Sequence, residues 1–167
     1  MGKMVILHHQ VDHAIEIMRE VTAWGREQGF PVWSEESITK EALLSDEVKE
    51  DAFCVGQFDQ VNVCAFILQW KDSIFWPGAP EYEAAYLHKF CVRREFAHQN
   101  MTKKVIEAIK QECRDRGIRY IRLDTGWNKE RVKQIYLDAG FQIVGKIVPE
   151  TGKEMALYEM IVEGVVG

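Results

Sequence analysis

Apolar residues recur at helical spacing in several parts of the chain and predict helices there. The predicted helices cover Val11 to Gln28, Thr39 to Val48, Asn100 to Arg116, and Asn128 to Gly140. Asp12 and Asn128 are the candidate N-caps of the first and fourth helices, because short polar side chains accept hydrogen bonds from the first free amides. Gly117 and Gly140 are expected to terminate the third and fourth. The apolar stripe of the fourth helix comprises Val132, Ile135, Tyr136 and Ala139.

Segments rich in β-branched and aromatic residues predict strands between these helices. They are Phe53 to Phe58, Val61 to Trp70, Ala84 to Val92, Ile118 to Asp124, Phe141 to Val148, and Met155 to Val162. Asp59 and Gln60 predict the turn of one antiparallel hairpin, and Thr151 and Gly152 that of another. The stretch from Asp72 to Glu81 contains Gly78 and two prolines, which favours a loop. A strand, a helix and a further strand between residues 84 and 124 imply a parallel pair, so the fold class is α/β.

Composition limits the class of protein further. With 167 residues, 47% of them hydrophobic, the chain is expected to form one domain with a sizeable core. A formal net charge of -5 argues against a general nucleic-acid binder. We expect a cytoplasmic protein without a membrane segment, because the sequence contains neither a signal peptide nor an apolar stretch of about 20 residues. Four scattered cysteines predict reduced, mostly buried thiols and no metal site.

The junction between the Ala84 strand and the Asn100 helix contains an unusual cluster of positive charge. Lys103 and Lys104 fall in the first helical turn, where the helix dipole disfavours cations, and Arg93 and Arg94 precede them. Free amides at a helix start bind phosphate readily, so this segment predicts a phosphate or pyrophosphate site. A solvated charged surface is the alternative reading.

Two short segments at this junction resemble the GNAT N-acetyltransferases. They read Tyr86-Leu-His-Lys-Phe-Cys-Val92 and Phe96-Ala-His-Gln-Asn-Met101, and Asn128, Tyr136 and Gly140-Phe141 fit the same pattern. The resemblance implies one acyltransferase domain over residues 1–167. Its fold would be a mixed, mostly antiparallel twisted sheet of about six to seven strands, with a central parallel pair and about four flanking helices.

The resemblance also implies transfer of acetyl from acetyl-CoA to a small-molecule or peptide amine, in a monomer or homodimer that needs no metal. The residues it assigns to cofactor binding are Phe90, Val92, Ala97, His98, Gln99, Asn100, Met101, Thr102, Lys103 and Asn128. The sequence departs from the family's glycine-rich loop at His98, Asn100 and Thr102. Glycine there permits positive φ, and asparagine is the best substitute because it tolerates the left-handed region. A non-catalytic acyl-CoA-binding or interaction domain is the alternative function.

Two residues are candidates for the chemical steps. By resemblance Tyr136 protonates the departing thiolate, and a phenol with an unperturbed pKa of about 10 suits that role, although a core tyrosine is the alternative. His88 is the candidate general base, with a structural histidine as the alternative and Glu81 or Glu83 as other bases. Regular strand alternation would place His88 on the same face as Phe90 and Val92.

The predicted acceptor site contains aromatic and acidic side chains. By the resemblance, Trp33, Phe75 and Trp76 lie where family members build the acceptor pocket, and Glu83 is a further candidate residue there. Aromatic faces attract cations, which suits an ammonium substrate, while ordinary packing is the alternative. An acyl-cysteine intermediate at Cys91 is a minor alternative to direct attack.

Overall fold

The computed structural model describes residues 2–30 and 33–165. Its α-helices are α1 (Val11–Glu27), α2 (Lys40–Leu43), α3 (Met101–Arg116) and α4 (Glu130–Asp138). Its strands are β1 (Met4–Leu7), β2 (Phe53–Phe58), β3 (Val61–Gln69), β4 (Ala84–Val92), β5 (Tyr120–Gly126), β6 (Gln142–Ile147) and β7 (Met155–Ile161). Short 3-10 segments cover Glu35–Ser37, Glu50–Ala52 and Arg94–Phe96.

The strands form one mixed sheet in the order β1-β2-β3-β4-β5-β7-β6. The pairs β1–β2, β2–β3, β5–β7 and β6–β7 are antiparallel. The parallel pair is β4–β5, in which Ala84 lies opposite Tyr120 and Tyr86 opposite Arg122. The predicted mixed sheet, with its central parallel pair and four helices, is confirmed.

By its internal contacts the chain divides into two compact units. The first comprises Met1–Leu68 and Lys89–Ala108, and the second Gln69–His88 and Ile109–Gly167. Strand β4 therefore contributes its first half to the second unit and its second half to the first. One acyltransferase domain over residues 1–167 stays a prediction.

The core of the first unit forms where α1 packs on strands β2 and β3. Ala14 and Met18 are completely buried on the inner face of α1, and Phe53 and Val55 of β2 are buried in the same cluster. Asp12 is not the cap of this helix, because Gln10 occupies the N-cap position and makes no side-chain capping bond. Asp12 instead lies in the first turn, where a carboxylate suits the helix dipole.

The turn of the β2–β3 hairpin is as predicted. Asp59 and Gln60 have φ angles of 52° and 66°, and two successive positive φ values characterise the tight turn that matches strand twist. Helix α2, in contrast, is shorter than predicted and ends at Leu43. The amide of Val48 donates to the hydroxyl of Ser45 at 3.2 Å, so a local turn replaces the expected second half of this helix.

The core of the second unit lies on β5 and β7, where Ile121, Leu123 and Tyr158 are buried. Strand β5 begins later than predicted because Ile118 is part of the helix end. The amide of Ile118 donates to the carbonyl of Cys113 at 2.8 Å, and the amide of Gly117 donates to the carbonyl of Arg114 at 3.2 Å. These two bonds form a Schellman motif at the end of the helix. Gly117 has a φ of 74° and terminates α3 as predicted.

Helix α4 differs from its prediction at both its start and its inner face. Lys129, and not Asn128, occupies the N-cap position, and it makes no side-chain capping bond. Asn128 lies in the preceding turn and is exposed. Ile135, expected in the buried stripe, is exposed, while Tyr136 is half-buried.

Candidate functional site

The loop after β4, in the first unit, has two residues in the left-handed region. His98 and Asn100 have φ angles of 62° and 60°, at positions where the family pattern has glycine. The carbonyl of Asn100 accepts the amide of Lys104 at 3.1 Å, which starts α3. The left-handed conformation expected for Asn100 is thus confirmed. Thr102 lies inside the first helical turn, so a glycine there is not needed for positive φ.

The positive charges around this loop have different surroundings. Arg93 is paired with Glu20 at 3.1 Å and with Glu95 at 2.9 Å. The ammonium of Lys104 donates to the carbonyl of Gln99 at 3.0 Å. Lys103 is exposed in the first turn of α3. Lys103 therefore places an exposed positive charge in the first turn of α3, where the free amides of the helix lie.

Strand β4 does not keep the regular alternation that was predicted. Lys89 has a φ of 53°, which is incompatible with extended backbone and changes the direction of the side chains after His88. Its ammonium lies 5.3 Å from the centre of the Trp33 ring. Phe90 packs against Phe66, with 6.4 Å between ring centres, and Val92 is half-buried. Trp33 thus already contacts a cation of its own chain.

Arg122 is the centre of a polar cluster in the second unit. It donates to Glu83 at 2.8 Å, to Glu159 at 2.9 Å and to the Tyr86 hydroxyl at 3.0 Å. Its guanidinium also lies 4.7 Å from the centre of the Trp76 ring. Glu83 and Trp76, predicted to bind substrate, therefore both contact Arg122.

Burial and hydrogen bonding affect the ionisation of this cluster in opposite directions. Burial alone would lower the pKa of Arg122, but its hydrogen bonds to Glu83, Glu159 and Tyr86 outweigh that effect and raise the pKa. Burial also raises the pKa of the Tyr86 phenol. The guanidinium and the phenol are therefore held in their protonated forms.

His88 lies between two carboxylates of the second unit that sequence reasoning missed. Its Nε2 is 2.8 Å from Oδ2 of Asp72, and its Nδ1 is 3.4 Å from Oδ1 of Asp124. The backbone amide of Phe75 donates to the other carboxylate oxygen of Asp72 at 3.1 Å. The side chains of Asp72, Asp124 and His88 are 4%, 8% and 18% exposed. An imidazole so placed is well suited to accept and hold a proton.

Tyr136, the candidate acid, lies on α4 between two other aromatic rings. Its ring centre is 5.8 Å from that of Phe141, in an edge-on arrangement, and 5.8 Å from that of Tyr158. The hydroxyl of Tyr158 pairs with that of Thr125 at 2.8 Å. Packing therefore holds the ring of Tyr136 in place, as both readings of this residue require.

The cysteines have the state predicted for them. All four are buried thiols that form no disulfide within the described residues. Burial raises the pKa of Cys64 to about 12 and also raises that of Cys91, so the reactive thiolate form is disfavoured. These thiols are poor nucleophiles, which argues against an acyl-cysteine intermediate.

The described residues contain no helix long and apolar enough to cross a membrane.

A search of curated proteins finds no significant match. A family profile described as "Acetyltransferase (GNAT) family" matches residues 18–141, which is most of the chain.

Solved structures match the fold over nearly the whole chain. A GNAT-family acetyltransferase from Listeria monocytogenes is 20% identical, with a TM-score of 0.66 and coverage of 95% of this chain and 94% of that one. The PaiA N-acetyltransferase from Thermoplasma acidophilum, in complex with coenzyme A, is 16% identical, with a TM-score of 0.64 and coverages of 96% and 99%. AAC(6')-Ib, in complex with ribostamycin and coenzyme A, is 11% identical, with a TM-score of 0.66 and coverages of 96% and 93%.

The mixed sheet with its central parallel pair is thus a fold that this chain shares with solved acetyltransferases. The chain belongs to the GNAT family of acetyltransferases.

Proposed function

We propose that the protein transfers an acetyl group from acetyl-CoA to an amine by direct attack. The observation that carries this proposal is the loop before α3. His98 and Asn100 adopt the left-handed conformation that glycine favours, so both positions supply the positive φ that the family's glycines would give. In this role Ala97 to Lys103 bind the pyrophosphate through the amides at the helix start, and Lys103 contributes its charge.

The remaining cofactor contacts are proposed from the family resemblance. The backbone of Phe90 and Val92 pairs with the pantetheine arm, and the bend at Lys89 separates this part of β4 from the part that pairs with β5. Asn128, exposed in the turn before α4, is a further polar contact. Acetyl-CoA supplies the activated acetyl group.

The chemistry then requires two proton transfers. His88 removes a proton from the substrate ammonium, so that the amine nitrogen can attack the acetyl carbon. Tyr136 donates its phenolic proton to the sulfur as the carbon–sulfur bond breaks. Trp33, Trp76 and Glu83 are the proposed contacts of the acceptor, where Trp33 and Trp76 present rings that already attract cations.

Acetyl-CoA is expected to raise the melting temperature. A ligand that binds only the folded state at 100 times its Kd stabilises it by about 2.7 kcal/mol, or roughly 5–10 °C for a chain of this size. The check is a thermal shift with 1 mM acetyl-CoA, with AMP as the control because it lacks pantetheine. No shift would contradict a role for coenzyme A.

The same samples test the transfer itself. Thiol release is followed with a panel of spermidine, lysine, ribostamycin and a peptide beginning with alanine. We expect release with at least one of these amines. A thermal shift without release from any of them would favour the non-catalytic acyl-CoA-binding domain.

Reversing the charge of Lys103 is expected to weaken coenzyme A binding about 10-fold. Lys103→Glu repels a phosphate, whereas a carboxylate in the first turn stabilises the helix itself by about 0.3–1 kcal/mol. Lys104 is unsuitable for this test because its ammonium supports the loop at Gln99. Titration of tryptophan fluorescence measures the affinity.

The matched control for this charge reversal is Lys110→Glu, which makes the same change two turns further along α3. It should leave the affinity close to that of the parent, because the dipole effect is confined to the first turn. Equal affinity of the Lys103 variant and the parent would contradict a pyrophosphate at this helix start.

A further inference from the structure

Two carboxylates and an imidazole meet in the second unit, although they come from three separate segments of the chain. Asp72 belongs to the loop after β3, His88 to β4 and Asp124 to β5. One oxygen of each carboxylate and one nitrogen of the ring lie within 4.8 Å of one another. The sequence predicted no metal site, and donors so far apart along the chain form no spacing motif that indicates one. Only the tertiary structure brings this donor set together.

The three side chains are shielded from water and supported by their surroundings. Those of Asp72 and Asp124 are 4% and 8% exposed, and that of His88 is 18% exposed. The backbone amide of Phe75 donates to Oδ1 of Asp72 at 3.1 Å, while Oδ2 faces the imidazole. The ring of Phe75 packs on that of His88, with 6.0 Å between ring centres. Hydrogen bonds to the second oxygen of a carboxylate are a usual support of metal ligands, because they fix the direction of the first.

The charge of this donor set favours a divalent cation. Buried carboxylates are costly unless their charge is balanced. Within the cluster, a protonated His88 balances one of the two negative charges, whereas a divalent ion balances both. Arg122, a buried cation of the same unit, is already shared by Glu83 and Glu159. A doubly charged ion therefore matches the charge of the donors.

The kinds of donor atom favour zinc among the divalent ions. Zn²⁺ binds imidazole nitrogen together with carboxylate oxygen, whereas Mg²⁺ and Ca²⁺ prefer oxygen alone. Ligand atoms at about 2.0–2.2 Å from a tetrahedral zinc ion are about 3.3–3.6 Å from one another. Donor pairs within 4.8 Å reach that spacing by closing at most about 1.5 Å. The contact of His88 with Asp72 opens from 2.8 Å by about 0.5–0.8 Å.

We propose that Asp72, His88 and Asp124 bind one Zn²⁺ ion, and that the bound ion takes the basic lone pair of His88. Three protein ligands leave the fourth tetrahedral position to a water molecule. A neutral imidazole has one basic lone pair, so a ring that binds zinc cannot accept a proton from the amine. Zinc therefore inhibits acetyl transfer, a consequence that rests on the proposed function. The site itself does not depend on that function.

A zinc titration of the free protein tests the site. Protein treated with EDTA and then dialysed is titrated with zinc chloride in competition with a chromophoric chelator. We expect the parent to bind one ion per chain. His88→Gln and Asp124→Asn should each weaken binding at least about 100-fold, because loss of a mere supporting partner already costs about 10–100-fold. Asparagine keeps the size of the aspartate, and thermal unfolding of the metal-free variants checks that both are folded.

The matched control is His13→Gln, which removes an exposed imidazole from α1. It should bind zinc as the parent does, and magnesium chloride should not displace the zinc. Equal affinity of the parent, His88→Gln and Asp124→Asn would overturn the proposal, because the ion would then lie elsewhere. A loss in His13→Gln as large as that in His88→Gln would also overturn it.

Turnover tests the consequence for His88. Saturating zinc should lower turnover of the fastest panel amine by about 100-fold, the scale on which a general base contributes, and EDTA should restore it. The acetylated amine is measured by mass spectrometry, because zinc also binds the released thiol. At the same zinc concentration Asp124→Asn should keep its own turnover. Activation by zinc, or equal inhibition of Asp124→Asn, would overturn the inhibitory role. If no amine is acetylated, the proposed function fails, and the zinc titration still decides the site.

Discussion

Arg122→Met is expected to lower the free energy of unfolding by about 3 kcal/mol, at the lower end of what breaking a buried ion pair costs. The guanidinium is only 10% exposed and neutralises both Glu83 and Glu159. Methionine fills much of the volume but leaves both carboxylates without their cation and the Tyr86 hydroxyl without its donor. Both glutamates retain some access to water, which keeps the cost below the upper end of the range.

The matched control is Arg116→Met. Arg116 also lies over a tryptophan ring, that of Trp70, at 4.7 Å, and also pairs with a glutamate, Glu112, at 3.3 Å. Its side chain is 47% exposed, so its loss should cost under about 1 kcal/mol. Urea unfolding of both variants measures the difference. Equal destabilisation would show that burial does not determine the strength of these contacts.

The elements that could be predicted from the sequence are those with local causes. The β2–β3 turn follows from two residues that tolerate positive φ, and the end of α3 follows from Gly117. Strand β1 was missed because it has only four residues, too few to show a period. The cap assignments at Asp12 and Asn128 were wrong because residue type alone does not determine which residue begins a helix.

The polar partners of the candidate site depend on tertiary structure and could not be predicted from local pattern. Nothing near His88 in the sequence indicates Asp72, which is placed there by the loop after β3. Asp124 can be placed near His88 only once the register of β4 and β5 is known. Ala84 of β4 lies opposite Tyr120 of β5, and the two strands are parallel. Counting four residues forward on each strand therefore places His88 opposite Asp124. The register itself was not predictable, so this count becomes useful only with the structure.

Tyr136→Phe is expected to lower turnover by roughly 100-fold or more, the scale on which a general acid contributes. The change removes one hydroxyl and keeps the ring, so the contacts with Phe141 and Tyr158 remain. If the hydroxyl protonates the sulfur, kcat falls while folding and acetyl-CoA affinity change little. Thiol release under saturating acetyl-CoA measures kcat, and thermal unfolding measures stability.

Tyr158→Phe is the control for this change, because it removes a phenolic hydroxyl from the same unit. The hydroxyl of Tyr158 pairs with Thr125 in a buried environment, so its loss should cost about 1 kcal/mol of stability and little turnover. Tyr136→Phe should show the reverse pattern. If it instead lost stability and kept its turnover, Tyr136 would be a packing residue and the acid would have to be another group. If kcat falls only a few-fold, the pH dependence of kcat distinguishes the two roles. A decrease at alkaline pH that is present in the parent and absent in Tyr136→Phe would identify the phenol as the acid. Identical pH profiles would exclude it.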